Sequence, residues 1–190
     1  MKNKLIIILT ALLLLSLICS ARSQSGIYMS VADFRNNKLS YENPCKKSIH
    51  VHDFFWSKPA ITVKSGNKKY TLKKSAVYGY RDCDNTVYRF YNNTEYNIAE
   101  AGSIFIYTKE QNIAQSKGYK VVNTWYFSTT ADGVISLLTL ANLKDACKSN
   151  DKFLDLIRNF SDSDLNAYDE THNTFKVNYL YSKTINVTSN

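Results

Sequence analysis

The sequence predicts an α+β protein: an antiparallel β-meander sheet followed by two or three short C-terminal helices packed on it. Three observations carry this. Between residues 48 and 128 apolar residues recur with a period of two, in runs of five to eight residues about every ten. Turn residues separate those runs, and no linker rich in Pro or Gly intervenes. After Asp132-Gly133 the spacing changes to i, i+3, i+7, the helical period. A run of strands followed by a run of helices places helices on one face or end of an antiparallel sheet. The chain has 190 residues, of which 44% are hydrophobic and 21% charged, with 6 Gly and 2 Pro. That composition excludes a disordered or collagen-like chain and suits one domain with a core of its own.

The first element is a targeting segment. Lys2 and Lys4 precede an apolar run from Leu5 to Ile18, and small residues follow at Cys19, Ser20, Ala21 and Ser23. This is the pattern of a secretory signal peptide, and the run is short for a transmembrane helix of about 20 residues. Cleavage after Ala21 or after Ser23 fits the small-x-small rule. The second leaves Gln24 as the N-terminus and residues 24–190 as a single exported domain without a transmembrane span. Lipid anchoring at Cys19 fits less well, because the bulky Ile18 stands where a lipobox has a small residue. Loss of residues 1–23 removes Lys2, Lys4 and Arg22 and no acid, which lowers the net charge from +8 to +5. Export argues against a nucleic-acid partner. The pairs Lys46-Lys47, Lys68-Lys69 and Lys73-Lys74 are scattered and read as solvated strand and hairpin lysines.

The domain itself opens with Ser30-Val31-Ala32-Asp33, a capping-box pattern that starts a short helix or turn reaching Asn37. Residues 36–47 are polar, and Asn43-Pro44 reads as a turn. Ile49 and Val51 alternate with His50 and His52. Ile61 and Val63 precede Ser65-Gly66-Asn67, a hairpin signal, with Tyr70 and Leu72 on the return strand. Strands are expected at 77–81, 86–91, 96–99, 103–108 and 121–128, punctuated by Asp84-Asn85, Asn92-Asn93 and Glu100-Ala101-Gly102. Thr139 is placed to cap a helix to about Ser149, with Leu140, Leu143 and Cys147 on one face. Asn150 is placed to cap a second helix to Asn159, burying Phe153, Leu156, Ile157 and Phe160. Ser161-Asp162-Ser163-Asp164 opens a third short turn. Phe175, Val177, Tyr179 and Tyr181 alternate and suggest a closing strand, with a helix as the other reading; residues 183–190 are expected to fray.

Three motif groups, in order, carry a resemblance. They are Gly26-Ile27-Tyr28 with Asp33-Phe34-Arg35-Asn36-Asn37-Lys38, then Ser75-Ala76-Val77-Tyr78-Gly79-Tyr80-Arg81 with Tyr88-Arg89, then Leu137 to Cys147 with Phe153 and Leu165-Asn166-Ala167-Tyr168-Asp169. In that arrangement the chain resembles a family of small secreted proteins of unknown function common in Bacteroidetes. Tyr78 stands where that family often carries Trp. The resemblance implies bacterial origin and an exported location, periplasmic or extracellular, and implies no mechanism. Asn92-Asn93-Thr94, Asn159-Phe160-Ser161 and Asn186-Val187-Thr188 are glycosylation sequons only in a eukaryotic source.

Candidate chemistry is sparse. No G-x-S-x-G, H-E-x-x-H, P-loop or G-x-G-x-x-G is present, and no cofactor is implied. His50 and His52 sit two apart on one strand face, about 7 Å at roughly 3.3 Å per residue. Such pairs can ligate zinc with a third ligand from elsewhere, so a secreted metal-dependent hydrolase is the alternative function; exposed strand histidines are the plainer reading. The acid pairs Asp82/Asp84, Asp162/Asp164 and Asp169/Glu170 fall in turns, where Asp caps backbone N–H groups. Without Cys19, three cysteines remain and C-x-x-C is absent; if a disulfide forms, the pair is Cys45 and Cys83, in polar turn-like stretches, with Cys147 buried on a helix face. The 14 Tyr are the compositional oddity. Tyr78, Tyr80 and Tyr88 lie on the expected sheet beside Arg81 and Arg89. Together these five form a candidate binding face for an envelope protein or glycan, set against ordinary cross-strand packing. The function expected is therefore a non-enzymatic exported binding or envelope-associated module.

Overall fold

A computed structural model describes residues 24–45 and 58–185. In chain order the elements are β1 (Gln24–Tyr28), α1 (Val31–Arg35), β2 (Ser40–Pro44), β3 (Ala60–Ser65), β4 (Lys68–Lys73), β5 (Gly79–Arg81), β6 (Val87–Tyr91), β7 (Thr94–Ala101), β8 (Phe105–Gln115) and β9 (Gly118–Ser128). Then follow β10 (Ser136–Leu137), α2 (Leu140–Ala146), α3 (Asp151–Leu156), α4 (Asp162–Leu165), β11 (Tyr168–Asp169), β12 (Thr174–Phe175) and α5 (Lys176–Ile185). The fold is α+β. An antiparallel sheet runs in the order β10-β9-β8-β7-β6-β5-β1-β2, so β5 to β10 form a meander and β1 and β2 extend it. β3-β4 and β11-β12 are separate hairpins. No helix among the described residues is long and apolar enough to cross a membrane.

The turns form where the local chemistry requires them. Tyr91 pairs with Thr94, so Asn92-Asn93 is a two-residue hairpin loop. Both asparagines have positive φ, 49° and 61°, the conformation that the right-handed twist of a tight hairpin selects. Gly66 (φ 58°) and Asn85 (φ 62°) serve the β3-β4 and β5-β6 connections in the same way. The Ser30 and Thr139 hydroxyls accept from the Asp33 and Asn142 N–H groups, and Asn150 caps Phe153 N–H, so α1, α2 and α3 each begin on a satisfied N-cap.

Cross-strand register divides the sheet into two faces. Tyr80, Tyr88, Asn97, Thr108 and Trp125 follow one another across β5 to β9 and share a face with Phe90, Ile106 and Phe127. At the β1-β5-β6 end this face is covered by the β3-β4 hairpin, whose Ile61 and Val63 pack with Ile27, Val77, Tyr80 and Phe90. At the β8-β9 end the same face is covered by helices, and Ile104, Ile106 and Phe127 pack with Leu143, Cys147, Phe153, Ile157 and Leu165. Burial pushes the Cys147 thiol up to about 11, so it packs as a small hydrophobe.

Several expectations are revised. Phe175 to Tyr181 is not a closing strand: only Thr174 and Phe175 are extended, and α5 follows. The reason is that α5 buries Val177, Asn178 and Thr184, a helical spacing, while Tyr179 lies outside the core. Asn178 anchors α5 by accepting from Ile104 N–H and donating to Ile104 C=O, both at 2.8 Å. That anchor leaves no room at Gly102, where a Cβ would lie 2.5 Å from the Asn178 amide. Leu156 is 46% exposed rather than buried, because the segment buries Phe153 and Ile157 and packs Leu154 and Phe160 beside them, on the side away from Leu156. Asn43-Pro44 ends the edge strand β2, opposite Ser25 and Gln24, instead of forming a turn; the end of an edge strand is a place where a sheet tolerates Pro. The 103–108 and 121–128 strands are longer than expected and form an eleven-pair hairpin with a Ser116-Lys117 tip.

Candidate functional site

Among the described residues, no layer of helices covers the second sheet face. Gly79, Arg89 and Tyr96 pair across it, as do Ile98, Tyr107 and Tyr126, with Tyr28 beside Gly79. Period-two alternation in β6, β7, β8 and β9 sends these side chains to the side opposite the helices. Phe34 of α1 covers one end, stacked on Tyr78 at 5.0 Å and edge-on to Tyr28 at 5.6 Å. The loop after β9 covers the centre: Tyr78 Oη donates to Ala131 C=O at 3.0 Å. The rest of the face is half open. Tyr91, Tyr96, Ile98, Lys109, Gln111 and Tyr126 are all partly exposed.

Arg89 is the floor of this face and is 4% exposed. Its guanidinium donates to Tyr107 Oη (2.9 Å) and Gly133 C=O (2.7 Å), with Ser128 Oγ at 3.5 Å. Three rings surround it, those of Tyr78 and Tyr91 at 5.6 Å and Tyr107 at 5.8 Å. Neutral oxygens and aromatic faces thus hold a buried cation, an arrangement that the ring quadrupoles favour. Tyr96 stands edge-on to Tyr126 at 5.0 Å, and Lys109 Nζ lies 5.9 Å from the Tyr96 ring. Gln111 donates to Tyr126 Oη at 3.1 Å and fixes that ring. Asp132 lies at the rim, where its carboxyl is held below the usual range first by the Thr130 hydroxyl and then also by Arg35 and Arg89.

The residues singled out from sequence divide between two locations. Tyr80 and Tyr88 lie stacked at 4.7 Å on the face under the β3-β4 hairpin, and Tyr80 is 5% exposed. Tyr78 and Arg89 are on the opposite side and buried. Arg81 holds β5 to the N-terminal elements, donating to Gln24 C=O and to Asn37 Oδ1. These five therefore do not form one open surface. The open aromatic surface consists instead of Tyr91, Tyr96 and Tyr126. Cross-strand register is the signal that separates the two sets, and it cannot be read from one strand at a time. Cys45 and Cys83 form a disulfide between β2 and the β5-β6 turn, with Cα atoms 5.3 Å apart. His50 and His52 lie outside the described residues. Among the described residues no group of three His, Cys, Asp or Glu is placed to hold a metal ion.

The buried tyrosines predict alkaline sensitivity. Burial is the main cause that raises Tyr78 and Tyr80; the Glu95 carboxylate, 2.6 Å from Tyr80 Oη, raises Tyr80 further. A phenol with a raised folded pKa contributes stability that is intact below its ordinary value of 10 and declines as pH rises beyond it. Melting temperature should thus fall steeply above pH 10, and part of the tyrosinate absorbance should appear only with unfolding. Full tyrosine titration of a protein still folded would refute this.

Compared with known proteins, the chain matches no family model, no curated protein and no solved structure.

Proposed function

We propose that this chain is an exported, non-enzymatic binding or envelope-associated module that takes an envelope component, in the first instance a glycan, on its open tyrosine face. One observation carries the reading: Tyr91, Tyr96 and Tyr126 stand partly exposed above the buried Arg89 cation, beside Lys109 and Gln111. Half-wet aromatic rings beside polar donors suit the apolar faces and hydroxyls of sugar rings. The Lys2-Lys4 and Leu5–Ile18 pattern supports export, as does the resemblance to secreted Bacteroidetes proteins. The Cys45–Cys83 disulfide fits an oxidising compartment.

The test is retention on a panel of envelope glycans, scored against Tyr96→Ala and Tyr126→Ala. Each substitution is expected to weaken retention about tenfold, equivalent to roughly 1.4 kcal/mol, while the melting temperature stays close to wild type. Retention unchanged in both variants would remove the face from the binding reading. Loss of retention accompanied by unfolding would assign these rings to packing.

A further inference from the structure

The β8-β9 hairpin runs past the rest of the sheet. Only Phe105 to Thr108 of β8 pairs with β7, and only Tyr126 and Phe127 of β9 pair with β10. Beyond them, residues 109–124 form a two-stranded arm whose side chains are mostly exposed, including Ile113 (49%), Tyr119 (78%) and Val121 (58%). The outer edge of β9 has a defined hydrogen-bonding phase. Leu138 N–H donates to Trp125 C=O, so Trp125 turns its N–H and C=O away from β8. The β8-β9 register is unbroken from Phe105–Ser128 to Gln115–Gly118. Alternation therefore turns the N–H and C=O of Asn123, Val121 and Tyr119 outward as well. This edge reads Gly118-Tyr119-Lys120-Val121-Val122-Asn123-Thr124, with one charge, no Pro and no bulge, the kind of edge that templates strand pairing.

We propose that two copies of this chain pair antiparallel through the outer edges of β9, about a two-fold axis at Val121. In that register Val121 faces Val121 of the second copy and Tyr119 faces Asn123, so every outward N–H and C=O of the three residues meets a complementary group. Lys120 lies opposite Val122. The neighbouring register, centred on Lys120, sets two lysines directly opposite and is disfavoured. Tyr119 and Val121 of both copies then form one apolar stripe on a shared face. Past Gly118, which lies opposite Thr124, the ladder ends, because Leu138 already occupies the edge at Trp125, and the hairpin tip of the second copy turns onto the neighbouring surface. A groove of about 300 Å³ opens there, lined by Asn123, Thr124, Trp125, Leu137, Asp162 and Asn166. Lys117 at the tip is thereby brought to the exposed Asp162 carboxylate, and the charges are complementary. The interface is isologous, as a two-fold requires, because each copy offers the same β9 edge to the other.

The test is sedimentation of the full chain with Val121→Lys and Val121→Glu, each alone and then mixed in equal amounts. The wild type should be a dimer at about 100 µM. Each variant alone places like charges on the axis and should dimerise at least about tenfold more weakly; the mixture should restore the dimer, which also shows that both variants keep their fold. A monomeric wild type at that concentration, variants that dimerise like wild type, or a mixture that stays monomeric would each overturn the proposal.

Discussion

Phe153→Ala is expected to lower the unfolding free energy by about 3–5 kcal/mol, the range for a large aromatic removed from a packed core. Phe153 is fully buried and belongs to the cluster that joins α2, α3 and α5 to the sheet through Leu143, Ile157, Ile106 and Phe127. Its ring meets Tyr181 of α5 edge-on at 5.0 Å, so truncation loosens the α3-α5 contact as well as leaving a cavity. Domains of this size hold about 5–15 kcal/mol in total, so the loss is a large share. Urea unfolding would read it as a fall in midpoint with little change in slope. Leu156→Ala on the same helix is the contrast: Leu156 is 46% exposed, and a change within about 0.5 kcal/mol is expected. Equal losses in the two variants would mean that the helix layer does not pack as described.

Removing the Cys45–Cys83 bridge by Cys83→Ser is expected to cost about 2–4 kcal/mol. The two cysteines are 38 residues apart, so the bridge limits a long loop in the unfolded chain. The same bridge ties the edge strand β2 to the β5-β6 turn. Melting of the wild type with and without reductant should reproduce the difference, and Cys83→Ser should then be insensitive to reductant. A wild type whose melting point ignores reductant would show that the bridge contributes nothing. The outcome also bears on the compartment, since a bridge needed for stability requires an oxidising one.

Much of the architecture was legible along the chain because it is local. The hairpins at Ser65-Gly66-Asn67 and Asn92-Asn93 announce themselves by residues that accept positive φ, and Gly66, Asn92 and Asn93 adopt it. Thr139 and Asn150 announce α2 and α3 by their capping oxygens. Where the reading went astray, the deciding partner is distant in sequence. β1 and β2 are short segments made into strands by pairing with β5 and with each other, across 50 or so residues in the first case. The α5 segment alternates apolar residues, yet Asn178 bonding to Ile104, 74 residues away, fits a helix there.

The candidate site divides along the same line. Its composition belongs to the sequence: many tyrosines on a β-rich, basic chain with an export pattern at its start. Which rings are open belongs to the tertiary structure. Tyr80 and Tyr96 are equally plausible on their own strands, but the β3-β4 hairpin closes over Tyr80 while Tyr96 stays partly exposed among the described residues. Arg89 is one basic residue of the expected binding face until Tyr78, Tyr107 and Gly133 converge on it from three other segments and bury it. Local chemistry thus determined where strands, turns and helices begin. Register and layer packing, which depend on contacts between residues far apart in the chain, decided which faces were buried and which were left to meet a partner.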